Sequence, residues 1–559
     1  MRFSYLKTGA FHPHNTNVQC RKLKKAVVIT SFEHLFYIFP PTFSCFLLPL
    51  DKFLLLPIDK FIFVGSLRSL SIKVKGVCEM LKSLSSPSDL LLFQRCEENR
   101  LHFSLLKRLH SAKYRSALHK LRKIDVSLAY DILLPLYSHT GRPAIDPAIL
   151  IRSFILMQHL GYTSIHNWCN DLACDDLLRW MIGVSLPPSA ASHYDFIIRL
   201  THQDPHLSDL FDEDHFKKPP KTRPAHHEKL INYAHTETEY IVDKYKDGAE
   251  CDHDRMTYTL QCLFNALAVI PSIDMGFIDG HNLILSGDGS SLHIHSNRSG
   301  HKVCSDKNGK PLFRYSAPDA DVGWDSDLEC FYLGYTLYNI SYHNSLKSID
   351  LPVHIDLEKA SRHDALTTVS ASARFFDICP FLHPKYMCFD AASDSLPIFK
   401  FFRQKNITPI IELNKRTTGN DHFRKYNLNA QGKPICQNSI PMIDYGYDIQ
   451  RKRRKFRCPL AMGKIDSCPF VEQCSTSSYG HTVYINDGDN LRLFGPVPYR
   501  SDKWKQIYKN RTSTERMNTR ILNDYNLQNM KIRNGAKHAF FAIMAGISIH
   551  LDAWVKQTA

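Results

Sequence analysis

The sequence predicts a mixed α/β core behind an all-helical N-terminal module, and three observations carry that prediction. From about residue 89 to 200, apolar residues recur at three- and four-residue spacing between tight turns, which is a helical pattern. From about 281 onward, strand-like runs come first and then alternate with helical ones, as suits a mixed sheet flanked by helices. Two of those runs lead into an aspartate, Asp288 and Asp390, and a third acid, Glu515, lies in a polar helical stretch.

At 559 residues the chain is too long for one ordinary core and implies several domains. Hydrophobic (43%) and charged (22%) contents are those of a globular protein. The formal net charge of +15 favours a polyanionic partner, nucleic acid before any other. Residues 1–79 hold +7 of that charge, leaving +8 for the rest. The 16 cysteines are mostly scattered, and no secretory pattern opens the chain. These features imply a reducing, cytoplasmic setting with free thiols, not a disulfide framework.

Taken in order, residues 1–79 are atypical. The apolar stretch Leu35–Leu50 is interrupted by Pro40, Pro41 and Pro49 and is shorter than the roughly 20 residues of a membrane-spanning helix. The segment is expected to lie outside the functional fold, with Met80 as the working start and no membrane anchor. Residues 80–204 form the helical module. Its best-marked helix runs from Ala148 to Leu160, with Asp146 as cap, Pro147 in the first turn and Gly161 as the stop. Further helices are expected at about Ser164–Leu172, Leu177–Ile182 and Ser192–Leu200. Short helices joined by tight turns are compatible with a helix-turn-helix-like DNA reader, and equally with any small helical domain. Residues 205–280 read as a basic linker, including Lys217, Lys218, Lys221 and Arg223, followed by a helix near Tyr258–Ala268.

The core is expected over 281–555. Its first strand ends at Asp288, and others follow at Phe331–Tyr338 and Leu351–Ile355. A helix at Ala365–Phe376 precedes the strand ending at Asp390. Ser395–Arg403 is helical and Ile407–Leu413 is a last strand. Carboxylates meeting at one end of such a sheet describe a ribonuclease H-like core. A lone acid in either place is more simply a turn or capping residue. Together, two strand-end aspartates and a helical glutamate offer oxygen ligands to hard divalent cations. Two such ions about 3.5–4 Å apart clamp the attacking and leaving oxygens of a phosphoryl transfer. Tyr508, Arg511 and Glu515 are spaced to share one helical face, where a plain Arg511–Glu515 surface ion pair is the simpler reading. A β-rich insertion over about 415–500 holds Cys436, Cys458, Cys468 and Cys474. Four thiolates could close a structural zinc site, but no pair has CxxC spacing, so free thiols are the preferred reading and zinc the alternative. Beside them, Arg451–Lys455 is a basic run suited to DNA contact that weakens steeply with salt.

Several of these segments resemble bacterial insertion-sequence DDE transposases. In the helical module the resemblance rests on Gly141-Arg142-Pro143, Gly161-Tyr162-Thr163-Ser164, Leu178–Gly183 and Pro187-Pro188 with Ser192. In the core it rests on Gly287–Leu292, Ala360–Asp364, Phe389–Ser395 and the Tyr508-x2-Arg511-x3-Glu515 pattern. It spans about 140 to 555. Departures are His193 for a threonine, Ala392-Ser393 for the usual Gly-Tyr, and Leu522 where the family has a lysine seven residues after the glutamate. The resemblance implies a transposase that binds terminal inverted repeats and target DNA as double strands, through a homo-oligomeric synaptic complex. It implies Asp288, Asp390 and Glu515 as catalytic ligands of two Mg²⁺ ions, with Mn²⁺ able to substitute. Arg142, Tyr508 and Arg511 become DNA contacts, and Arg520 or Asn523 the replacement for the missing lysine. The location would be the bacterial cytoplasm, at the nucleoid when DNA is bound. A catalytically inactive DNA-binding derivative, or a metal-dependent nuclease without strand transfer, are the alternatives.

Overall fold

The computed structural model describes residues 80–81, 83–203, 210–217, 233–245, 254–414, 427–429 and 432–558. The expectations for residues 1–79 and for most of the 205–229 linker lie outside the described residues.

Local capping chemistry delimits the helices of the N-terminal module. Helix α1 (Pro87–Glu97) opens on a reciprocal capping box between Ser86 and Asp89. It is followed by α2 (Ala112–Lys123) and α3 (Pro147–His159). Asp146 accepts from the Ala148 N–H at 2.9 Å, and Pro147 occupies the first turn, where its missing N–H costs nothing. Ser164 caps α4 (Ile165–Cys174), and Asp175 caps α5 (Asp176–Ile182), which ends on Gly183 at φ 87°. Ser189 caps α6 (Ala190–Leu200), so this helix starts ahead of the expected Ser192. Two more helices, α7 (Tyr233–Lys244) and α8 (Arg255–Asp274), lead to the sheet.

Strand β1 (His281–His293) is followed by a hairpin, β2 (His301–Ser305) and β3 (Pro311–Arg314), which no sequence signal had marked. Next come β4 (Asp321–Asp325), β5 (Cys330–Asn344) and β6 (Ile349–Lys359), joined as antiparallel neighbours. Helix α9 (Asp364–Ile378) crosses to β7 (His383–Phe389), and α10 (Leu396–Gln404) crosses to β8 (Thr408–Ile411). In space β4 and β6 both pair with β5, and the order continues β5, β1, β7, β8. Strand β1 is antiparallel to β5 and parallel to β7, and β7 is parallel to β8. Parallel neighbours need a crossover, which α9 and α10 supply. Residues 332–341 of β5 are all buried, because this strand is covered on both faces.

The insertion adds a separate antiparallel sheet of β9 (Ile443–Asp448), β10 (Arg453–Arg457) and β11 (Thr482–Asn486), with β10 in the middle. The chain returns through α11 (Asp502–Tyr508), α12 (Thr512–Thr519) and the long α13 (Gly535–Thr558). By length and composition α8 and α13 would each cross a bilayer. Their apolar stretches are 61% and 83% buried inside the fold, as core helices are.

Helix α13 joins the N-terminal module to the sheet. Phe154 of α3 meets Phe540 at 4.8 Å and Phe541 at 5.6 Å, and Gln158 Nε2 donates to the Phe541 carbonyl at 3.0 Å. On α2, the Lys120 ammonium is buried. It reaches Asp552 Oδ1 at 2.6 Å and Tyr525 Oη at 3.0 Å. Burial lowers the proton affinity of Lys120, and Asp552 opposes that effect. Removing one partner of a buried pair leaves the other charge uncompensated, so Asp552→Asn is expected to cost about 3 kcal/mol. The double variant Lys120→Met/Asp552→Asn should recover part of that loss in chemical denaturation of the full chain; no recovery would show that the pair is not what joins α2 to α13.

Candidate active site

Three elements deliver the three acids to one region. Strand β1 carries Asp288 in its middle, not at its end as expected, because antiparallel pairing to β5 continues through His293. What stops short is the parallel pairing to β7, whose last matched residues are Ser286 and Cys388. Continued by two residues, that register sets Asp288 abreast of Asp390, the first residue after β7. Glycines flank Asp288 for steric reasons. A Cβ at Gly287 would come within 2.6 Å of Tyr338 Oη and 2.7 Å of the Phe389 ring, and one at Gly289 within 2.9 Å of Thr336.

The third acid arrives on α12. Ser286 and Ser341, on the face of the sheet that Asp288 shares, bind this helix through a buried group of hydroxyls. Ser286 Oγ lies 2.8 Å from Ser513 Oγ and 2.8 Å from Thr514 Oγ1, and it donates to the Asn510 carbonyl at 3.1 Å. Ser341 Oγ is 2.8 Å from both Ser513 and Thr514. Hydroxyls both donate and accept, so such a group can satisfy itself without water. It places Glu515, the next residue, over the sheet.

Arg511 stands between the acids. Its guanidinium is 2.6 Å from Glu515 Oε1 and 3.6 Å from Asp288 Oδ2. It also lies 5.8 Å from the ring of Tyr508, which stacks on Trp504 at 4.5 Å. The expected face of Tyr508, Arg511 and Glu515 is therefore assembled, through a short 3₁₀ turn at Lys509–Arg511 between α11 and α12. The Arg511–Glu515 ion pair forms as well, and it extends to Asp288.

Burial, and then the negative charge of Asp390, push the Asp288 carboxyl up to about 7, against the opposing pull of Arg511 and the Gly289 N–H. Asp390 caps the turn Ala391–Ser393, accepting from the Ala392 N–H at 3.1 Å and from Ser393 Oγ at 3.4 Å. Ser393 is held in turn by Thr368 of α9 at 3.0 Å, and Thr368 by the buried Tyr338 hydroxyl at 3.2 Å. Among the described residues, no set of three or more His, Cys, Asp or Glu is drawn closely enough to chelate an ion as the side chains stand. The fit to cations rests on the donor set itself, since Asp288, Asp390 and Glu515 offer three carboxylates against the single guanidinium of Arg511.

Two functional residues escaped the sequence reading. Asp364, at the start of α9, has its proton affinity raised by burial and by the charge of Asp390. Asp394, four residues after Asp390, has no exposed side-chain surface and holds Arg492 Nε at 2.6 Å and the Asn414 N–H at 2.9 Å. Both lie inside motifs that had been quoted, but nothing in their spacing separates a ligand from a tether. Of the expected DNA contacts, Arg142 is exposed, whereas Arg520 is paired with Asp552 at 2.7 Å. Leu522 packs partly buried against the core. Residues Arg520–Asp524 form a π turn, which inserts one residue into the helical count. The position following Glu515 by two turns is thereby shifted from Leu522 toward the exposed Asn523. The cysteines Cys436, Cys458, Cys468 and Cys474 line one cavity of the insertion, and Cys474 is raised by burial and then by its three neighbours.

Residues 110–202, from α2 to α6, match the family model described as a transposase domain (DUF772). The helical module is similar to that domain. No curated protein matches the chain.

The raised Asp288 carboxyl makes stability depend on pH. The folded chain binds more protons than the unfolded chain between pH about 4 and about 7, so stability falls as pH rises, by up to about 1.4 kcal/mol per unit. Above that window the penalty is constant. In chelator, the wild-type melting temperature should drop between pH about 5 and about 8 by more than that of Asp288→Asn. Mg²⁺ should restore the wild type alone at the higher pH. Identical pH profiles for the two proteins would sink this account.

Proposed function

We propose that the chain is a DDE transposase of an insertion sequence, with a ribonuclease H-like core that cuts element ends and joins them to target DNA. The observation that carries this reading is Asp288 abreast of Asp390, with Glu515 brought over them by the α12 hydroxyl group. The mixed order of β6, β5, β1, β7 and β8 supports such a core, and the transposase-domain match supports residues 80–204 as the DNA-binding part.

Asp288, Asp390 and Glu515 are the residues that would hold two Mg²⁺ ions, with Mn²⁺ able to replace them. When bound, such ions supply charge neutralisation to the attacking and leaving oxygens of a phosphodiester. The chain's own part is orientation. Ser393 and the Ala392 N–H fix one oxygen of Asp390, the hydroxyl group fixes the helix of Glu515, and Gly287 and Gly289 leave room for Tyr338, Phe389 and Thr336 on the other face of β1. Arg511 neutralises the acids while no cation is bound. Once one is bound, the guanidinium is available to a DNA phosphate, where its planar fork suits two oxygens. The reading includes a homo-oligomer in the synaptic complex.

With labelled element ends and Mg²⁺, the wild type should yield joined product. Asp288→Asn and Glu515→Gln should each lose at least about 100-fold in rate while keeping end binding. Cleavage without joining would favour a nuclease, and binding alone an inactive derivative. Retained cleavage in either variant would remove the three acids from the chemistry.

Cys436, Cys458, Cys468 and Cys474 share a cavity but do not stand close enough to chelate, so a structural zinc ion is the second reading of the insertion and free thiols the first. Protein purified without chelator should carry no zinc if the four are free thiols, and about one zinc per chain would favour the second reading.

A further inference from the structure

The basic run Arg451–Lys455 is sorted by the pleat of β10. Arg454 points inward, 3% exposed, where it binds Asp444 at 2.7 Å and the Gly495 and Pro496 carbonyls. Phe456 is buried on the same side. The alternate positions Arg453, Lys455 and Arg457 fall on the opposite face, where they meet three tyrosines. Arg453 lies 4.1 Å from the ring of Tyr484, and Lys455 lies 4.8 Å from Tyr445 and 4.5 Å from Tyr479. Arg457, itself buried, lies 4.7 Å from Tyr445 and 3.4 Å from Tyr479, whose carbonyl accepts from it at 2.8 Å. Tyr484 stands directly across from Lys455, and Gly446, on the other side, has open space where a Cβ would be.

A solvated cationic strand does not require rings between its charges. Here Tyr445, Tyr479 and Tyr484 remain 47%, 40% and 47% exposed although each contacts a cation. Cations that attract phosphates, set among exposed rings on which bases can stack, match the chemistry of an unpaired nucleic-acid strand. A duplex hides its base faces and would use the cations alone. We propose that the β9–β10–β11 face binds single-stranded DNA, with Arg453 and Lys455 along its phosphates, Tyr445, Tyr479 and Tyr484 under its bases, and the buried Arg457 holding Tyr479 in place. This assignment rests on the transposase reading, in which strand cutting and joining expose unpaired nucleotides. It gives the insertion a ligand distinct from the duplex ends.

The test is fluorescence anisotropy of the full chain with a labelled oligothymidine and, separately, a labelled duplex of unrelated sequence, each titrated over a range of salt. Tyr445→Ala/Tyr484→Ala should weaken oligothymidine binding at least about tenfold while leaving duplex binding within about twofold. Tyr445→Phe/Tyr484→Phe should bind as the wild type does, because stacking needs the ring and not the hydroxyl. Lys455→Ala should flatten the salt dependence for the single strand. Equal losses on both DNAs would overturn the proposal in favour of a duplex contact. No loss on either would leave the face as a self-contained cation and ring cluster, and a phenylalanine variant as weak as the alanine one would exclude stacking. A wild-type chain that binds neither DNA would instead defeat the transposase reading, and this proposal with it.

Discussion

Two carboxylates set abreast on neighbouring strands repel each other, and burial strengthens that repulsion by removing the water that would screen it. Asp288 and Asp390 are in this position, and burial first, then the charge of Asp390, raise the proton affinity of Asp288. Much of the surrounding structure holds the pair together despite the repulsion. The guanidinium of Arg511 lies against Asp288 and Glu515, the Ala391–Ser393 turn fixes Asp390, and the chain from Tyr338 through Thr368 to Ser393 anchors that turn in the core. A site arranged in this way is stable with protons, with its own arginine or with cations, which is why acidity and divalent ions should both act on it.

The helix carrying Glu515 is tied at both ends. At its start the hydroxyls of Ser513 and Thr514 bind it to β1 and β5. Beyond its π turn, Tyr525 binds Asp552 and Lys120, so the same stretch of chain also reaches the helical module. Phe154, Phe540 and Phe541 complete this contact with aromatic packing. The N-terminal helices and the sheet therefore share α13 as a common core element.

The insertion is anchored in a similar way. Arg492 reaches back to Asp394, next to the turn of Asp390, while Tyr499 and Arg500 bind Glu412 just past β8. Arg403 of α10 binds Asp487 at the end of β11. These pairs hold the insertion against the strands that carry the chemistry. Its cation and tyrosine face is thus tied to the strands that carry the acids.

Much of this was legible in the residues alone. Caps such as Asp146 with Pro147, the stop at Gly161, and the runs leading into Asp288 and Asp390 are local signals, because they depend on dihedral preferences and on hydrogen bonds within a few residues. The spacing of Tyr508, Arg511 and Glu515 is local too, and it survived even a 3₁₀ turn. Other features depend on partners far away in the chain, which no spacing encodes. Only the parallel register of β1 and β7 sets Asp288 beside Asp390, and only α12 packing on Ser286 and Ser341 brings Glu515 to them. The inward turn of Arg454 depends on which face of β10 is buried, and the displacement of Leu522 on a π turn that its sequence does not announce. The sequence determined which residues could do chemistry, because side-chain identity and helical period are local. The tertiary structure decided which of them meet, because register and burial arise only when distant segments pack.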